Sequence, residues 1–346
     1  MTTPEQPLIP SRKHLWRYLP ILLVLGLATY FLLPQLATLK QSWSVVQNML
    51  WWAVALAALA QVFSYLGSGF ILYSILKINH EKLPIWKGAL IAMATLSISM
   101  IAGGGIGLAA SYRWIHRESL DEDTAALAGT LPALLNTVIL IGVSLIGVLY
   151  LILVHDLTST QLIEFGTVLL VLGLATAGIF IALRFSGMVN RVALWFMGHW
   201  AAIRHKSFLP ESTNVWVKNF YIAINSLGNS KWLFPLLGAA INTGFDMMTL
   251  YFMFIAAGHK VTLGTLSAGY GLPLVLGKLA FIFPGGVGVI EGSMVALYDS
   301  LKVPNAISVV VILGYRLFSF WLPILFGFIA VAYLSGKLSA SKKKKA

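Results

Sequence analysis

Apolar residues run in blocks of about 20 or more, separated by short polar links, at about 18 to 36, 50 to 76, 88 to 111, 124 to 154, 163 to 183, 232 to 257, 262 to 301 and 305 to 335. Blocks of that length can cross the hydrocarbon of a bilayer as helices. Six of them read as uninterrupted spanning helices. The other two are broken by glycine clusters, Gly103-Gly104-Gly105-Ile106-Gly107 and Pro284-Gly285-Gly286-Val287-Gly288. Freed backbone at membrane depth is tolerated only where protein or a cavity covers it. The expected fold is therefore an all-α polytopic membrane protein with six spanning helices and two glycine-broken, re-entrant helical hairpins.

A shift of 181 residues lays Gly104, Gly105 and Gly107 on Gly285, Gly286 and Gly288, Trp51 on Trp232, and Gln61 on Asn242. The span boundaries move with them, 50 to 76 onto 231 to 257 and 124 to 154 onto 305 to 335. The expectation is one integral membrane domain over 1 to 346, made of two repeated halves at about 16 to 154 and 163 to 335. A cytoplasmic amphipathic link occupies 185 to 230, where Arg191, Arg204 and Lys206 alternate with Leu194, Trp195 and Trp200, and a basic tail occupies 336 to 346. Interrupted helices at corresponding places in two inverted halves point to a transport site at the repeat interface. Their free backbone N–H groups attract anions. The alternative is that the glycines serve only close helix packing.

Charge sets the direction of the spans. Positive residues mark the cytoplasmic side; both ends of the chain are basic, so both termini are expected inside. With six crossings and two hairpins, 19 Lys and Arg fall on cytoplasmic links or tails, 3 outside and 2 within the membrane. Eight full crossings would also keep both termini inside, but would put Arg113 and Arg117, or their neighbours, on the wrong face. The first block follows Arg12, Lys13 and Arg17 without a small-residue cleavage pattern, and reads as a retained anchor.

Composition agrees with this solvent. There are 24 Lys plus Arg against 12 Asp plus Glu, a net charge of +12, with 58% hydrophobic and 10% charged residues and a mean hydropathy of +0.83. Soluble domains are about 25% charged. The basic residues sit beside apolar spans, so the partners expected are anionic phospholipid headgroups at the cytoplasmic face and no nucleic acid. There is no Cys, and the seven His show no ligand spacing, so neither metal nor cofactor is expected.

Four formally charged residues fall near mid-depth: Asp246, Lys278, Glu291 and Arg316. Ionisable residues there are costly and are functional candidates. At 1.5 Å per residue all four can converge at one level; two buried salt bridges that fix the fold are the other reading. Asn242 lies one helical turn before Asp246 on the same face. Asn136 maps within one residue of Arg316, a neutral amide where the second half has a cation.

The stretch Phe283-Pro284-Gly285-Gly286-Val287-Gly288-Val289-Ile290-Glu291-Gly292, followed by Lys302-Val303-Pro304, Gly314-Tyr315-Arg316 and Trp321-Leu322-Pro323, resembles the C-terminal signature of the lysylphosphatidylglycerol synthetase transmembrane, or flippase-like, family. The resemblance covers nearly the whole chain. It implies a multi-pass protein of a bacterial or archaeal cytoplasmic membrane, with some members moving an aminoacylated phospholipid, and makes Gly285, Gly286, Gly288, Glu291 and Arg316 candidate functional positions. Many members have an Arg inside the first glycine motif and an acidic residue just after it; here Gly105 and Leu108 to Ala110 are uncharged. The synthetases' soluble aminoacyltransferase domain has no counterpart after the last span, so this chain is expected not to make the lipid itself, and a separate lipid-modifying enzyme becomes a partner to consider.

The leading functional expectation is a flippase moving an anionic, aminoacylated or polyprenyl-phosphate-linked lipid through a midplane site. Its candidate residues are Gly285, Gly286, Gly288, Glu291, Arg316, Lys278, Asp246, Asn242, Gly104, Gly105, Gly107, Gln61 and Asn136, with no catalytic residue assigned. The alternatives are an integral-membrane transferase acting on a polyprenyl-phosphate sugar and a non-transporting partner subunit. The one Asp-x-Asp match, Asp121-Glu122-Asp123, reads as a helix cap rather than a metal pair, and no H-E-x-x-H or P-loop occurs.

Overall fold

The computed structural model of the chain describes residues 39–78, 80–117, 122–154, 232–279 and 284–343, with scattered positions between 163 and 199. The expected span at 18 to 36 lies outside the described residues, as do most of the span at 163 to 183, most of the link at 185 to 230 and the last residues of the tail.

Every regular element among the described residues is helical. In chain order they are α1 (Leu39–Gln47), α2 (Trp51–Ile78), α3 (Ile85–Ala102), α4 (Gly104–Ile115), α5 (Glu122–Val154), α6 (Leu233–Ala256) and α7 (Leu263–Leu279), then a short 3₁₀ turn (Pro284–Gly286). They are followed by α8 (Val289–Ser300), α9 (Asn305–Arg316), a π-helical turn (Leu317–Trp321) and α10 (Leu322–Lys343). Trp51, Leu59 and Val62 on α2, Ile146 and Leu153 on α5, and Leu325 and Ile329 on α10 are large, apolar and exposed, while the other faces of these helices form the core. Helices apolar on all sides belong in a nonpolar solvent. Among the described residues, five helical stretches are long and apolar enough to cross a bilayer: α2, α3, Thr124–Val154 of α5, α6, and α9 joined to α10 over Asn305–Ser335. The chain is a multi-pass, all-α membrane protein. Four of these stretches are spans expected at 50 to 76, 124 to 154, 232 to 257 and 305 to 335; α3 is the first arm of the first glycine-broken segment.

Small residues set the packing, as they do where lipid competes equally for apolar surface. Helices α2 and α6 cross at Gly67, where a Cβ would lie 2.6 Å from the Asn242 backbone nitrogen, and at Gly238, where one would lie 2.9 Å from the Ile71 nitrogen. Ser64 Oγ donates to the Asn242 carbonyl at 3.0 Å, and Asn242 Nδ2 donates to the Ser64 carbonyl and hydroxyl, both at 2.9 Å. Helix α3 lies along α10, where Ser97 Oγ bonds the Ile324 carbonyl at 2.9 Å. Helix α7 lies along α5, with Gly271 close against Ser144. Each broken segment therefore packs on the closing long helix of the other expected half.

The core follows the same division. Ile71, Ile75, Ile115 and Leu127 pack where α2, α4 and α5 meet; Leu250, Phe254, Tyr298 and Tyr315 pack where α6, α8 and α9 meet. Helix α4 runs back along α3, and α8 along α7, so the chain reverses at both glycine clusters.

Candidate functional site

The first reversal turns on one residue. Gly103 has φ +90° and ψ 156°; its N–H donates to the Ser99 carbonyl, closing α3, and its carbonyl accepts the N–H groups of Ile106 and Gly107, opening α4. The second uses Gly285 (φ +65°), Gly286 (φ +65°) and Gly288 (φ +84°). Positive φ is a region that side chains disfavour and glycine enters freely. Here the space is also taken, since a Cβ on Gly285 would overlap the Phe320 ring and lie 3.3 Å from Met100 Sδ. Met100 is three residues before Gly103, so the tips of the two reversals touch.

Behind the second tip is a buried ion pair. Arg316, the last residue of α9, donates from Nε to Glu291 Oε1 at 2.5 Å and from Nη2 to the Gly285 carbonyl at 3.3 Å. Its guanidinium lies 4.1 Å from the Phe320 ring centroid. Glu291 Oε2 accepts the Gly288 N–H at 2.6 Å, in the first turn of α8. Both side chains are under a tenth exposed. The pair thus holds each end of the Gly285–Gly288 turn and anchors it to the cation–π contact on Phe320.

Asp246 is held apart from that pair. Its Oδ2 accepts hydroxyl bonds from Tyr270 at 2.8 Å and Tyr315 at 2.7 Å, tying α6 to α7 and α9. Gln61 Oε1 accepts the Thr249 hydroxyl at 3.0 Å across the α2–α6 crossing.

A cavity of about 600 Å³ opens between the two tips. Gly103 lines it from the first half, Gly285 and Gly286 from the second, and Asn136, Asn242 and Lys278 supply polar groups. Lys278 Nζ donates to Thr137 Oγ1 at 3.0 Å, and Asn136 Oδ1 is buried with no hydrogen-bond partner among the described residues. A second, apolar groove of about 840 Å³ lies between α2, α3 and α10, lined by Tyr65, Leu90, Met93 and Phe326 with Gln61 at its polar edge. Met93 faces this groove while Leu96 and Met100 line the polar cavity, so α3 is a wall shared by both.

Five of the expected site residues, Gly285, Gly286, Lys278, Asn242 and Asn136, meet at the polar cavity. Glu291, Arg316 and Gly288 stand behind it, Asp246 reaches it through Tyr270, and Gln61 belongs to the groove. Gly107 is packed against α3, its Cβ position 2.9 Å from the Thr95 carbonyl; Gly104 and Gly105 form the first turn of α4. Of the four charges expected at one level, only Glu291 and Arg316 pair among the described residues. The cation facing the cavity is Lys278, whereas the sequence pointed first to Arg316. Tyr270, Tyr315 and Gly103 are additions. A tyrosine in an apolar helix needs a partner for its hydroxyl, and that signal, present at Gly269-Tyr270-Gly271 and Gly314-Tyr315-Arg316, marks the two tyrosine partners of Asp246.

Residues 18–327 match the family model described as lysylphosphatidylglycerol synthase TM region. Similar proteins include a UPF0104 membrane protein of Methanocaldococcus jannaschii, 29% identical over 100 residues, which are 29% of this chain and 30% of that protein. A UPF0104 membrane protein of Pyrococcus horikoshii is 32% identical over 96 residues, 28% of each chain. The match thus spans less than a third of the length of these curated relatives. The glycine-turn signature, the multi-pass helical fold and a family match over 18–327 agree: the chain belongs to the lysylphosphatidylglycerol synthase transmembrane-region family.

Proposed function

We propose that this protein moves a lipid across the membrane, with the headgroup passing through the cavity between the two glycine reversals and the acyl tails following the apolar groove beside α3. The observation that carries the reading is the meeting of Gly103 with Gly285 and Gly286 around one polar cavity inside an otherwise apolar helical protein. Polar cavities are costly in a membrane and mark substrate paths. On this reading the halves at 16 to 154 and 163 to 335 are inverted repeats, and the two reversals are re-entrant hairpins from opposite faces. The exchange of α3 onto α10 and α7 onto α5 supports that arrangement, and rocking of one half against the other would expose the cavity alternately.

Topology gives one test. The chain has no Cys, and Arg113 and Ser300 are exposed positions near the ends of the two hairpins. With a membrane-impermeant maleimide on intact cells, Ser300→Cys should label at once and Arg113→Cys only after permeabilisation. Labelling of Arg113→Cys from outside would refute opposite-facing hairpins.

Movement gives the other. Acyl-labelled anionic, zwitterionic and aminoacylated phospholipids in reconstituted vesicles should include at least one class whose leaflet exchange exceeds that of protein-free vesicles. No acceleration by folded protein for any class would refute lipid transport by this protein.

A further inference from the structure

We infer that the cavity selects a net-anionic phosphate headgroup, with Lys278 as its counter-charge, and rejects a headgroup bearing amines; the identification of the ligand as a lipid rests on the transport reading above. Among the described residues lining the cavity, Lys278 is the one formally charged side chain. Its described partner, Thr137 Oγ1, is neutral. An ammonium has three donors, so among the described residues Lys278 keeps two for a ligand, and it lines the cavity. An unneutralised cation at membrane depth is costly, and a bound anion removes that cost.

The two acidic side chains nearby are already engaged by other groups of the protein. Both oxygens of Glu291 are engaged, one by Arg316 and one by the Gly288 N–H. Asp246 already accepts two tyrosine hydroxyls. Neither carboxylate lines the cavity, and Ala280 to Phe283, between α7 and the glycine turn, are apolar. An aminoacyl group brought here would add positive charge beside Lys278 with no carboxylate among the described lining residues to receive it. A polyol headgroup fits better: Ser99, Asn136 and Asn242 supply other polar groups of the cavity lining, all neutral and able to hydrogen-bond a hydroxyl. A phosphate ester of a polyol suits the cation and these neutral groups together.

The same phosphate chemistry is presented by a lipid headgroup and by free phosphate, so binding is measured with both. The full chain is purified in a nonionic detergent, and its unfolding midpoint is followed with dioctanoyl phosphatidylglycerol, the lysyl ester of that lipid, or inorganic phosphate. Phosphatidylglycerol should stabilise the wild type with an apparent affinity at least about tenfold above that of the lysyl ester, the size expected for one like-charge contact near a protein surface. Stabilisation by inorganic phosphate as well would support the site as a general phosphate-anion site; stabilisation by the lipid alone would assign it to the headgroup. Lys278→Met should lose the effect, and Lys278→Glu should transfer it to the lysyl ester.

Equal binding of both lipids by wild type, which needs no variant to fold, would overturn the inference, as would undiminished phosphatidylglycerol binding by folded Lys278→Met. The two proposals fail separately. Charge-selective binding without lipid movement sinks transport and leaves this site standing, whereas equal movement of the lysyl and unmodified lipids sinks the selectivity and leaves transport standing.

Discussion

Arg316→Ala is expected to be among the most damaging single substitutions in the chain, lowering the unfolding midpoint in detergent by roughly 10 °C, because it removes one member of a buried pair. Breaking such a pair costs about 3–5 kcal/mol, most of it from the charge left behind. Here that charge is Glu291, 7% exposed, which would keep only the Gly288 N–H. The Gly285 carbonyl would lose its bond from Nη2 at the same time. Removing both charges should hurt less than removing one, so Glu291→Gln with Arg316→Met should recover more than half of the lost midpoint. Arg316→Lys should fall between, since an ammonium lacks the planar fork that reaches the carboxylate and the carbonyl together. Thermal unfolding of the four proteins decides the matter; an unchanged midpoint in Arg316→Ala would show that the pair does not hold the turn.

Gly285→Ala should destabilise by about 2–5 kcal/mol, through two separable causes. A φ of +65° costs an L-residue about 1–2 kcal/mol. The overlap of the new Cβ with Phe320 adds about 1–3 kcal/mol of overpacking. Gly103→Ala carries a backbone cost alone, because nothing lies within 4 Å of a Cβ; its φ +90° with ψ 156° is a region essentially reserved for glycine, at about 1–3 kcal/mol. Gly292→Ala lacks both, being helical with open space, and should be neutral or slightly stabilising. The order Gly285, Gly103, Gly292 in loss of unfolding midpoint is the expected result. Equal effects at Gly285 and Gly292 would remove the glycine turn from the list of constrained positions.

Lys278 and Arg316 show how a cation's function depends on what surrounds it. Sequence depth placed both within the membrane, and the family resemblance favoured Arg316. Two hydrogen-bond acceptors and an aromatic face surround Arg316, which satisfies it inside the protein. Lys278, with one neutral oxygen, is the cation left facing the cavity.

Apolar run length by itself determined that the chain lives in lipid, because nothing but a bilayer accommodates blocks of this length without polar faces. Four long helices appear at the expected residues for that reason. The glycine clusters likewise determined where helices stop, since φ is a local property: Gly103, Gly285, Gly286 and Gly288 all take positive values. The 181-residue spacing related the two breaks along the chain, but tertiary packing alone decided that their tips touch at Met100 and Gly285. Contacts between residues nearly two hundred positions apart depend on which helices pack, and the small residues that let α2 approach α6 have no local signature of their partner. Side-chain pairing had the same origin. Four ionisable residues at similar depth allowed several pairings, and the choice of Arg316 for Glu291, two tyrosines for Asp246 and an open cavity for Lys278 follows from the geometry of α6 to α9, where each buried charge takes the nearest group able to satisfy it.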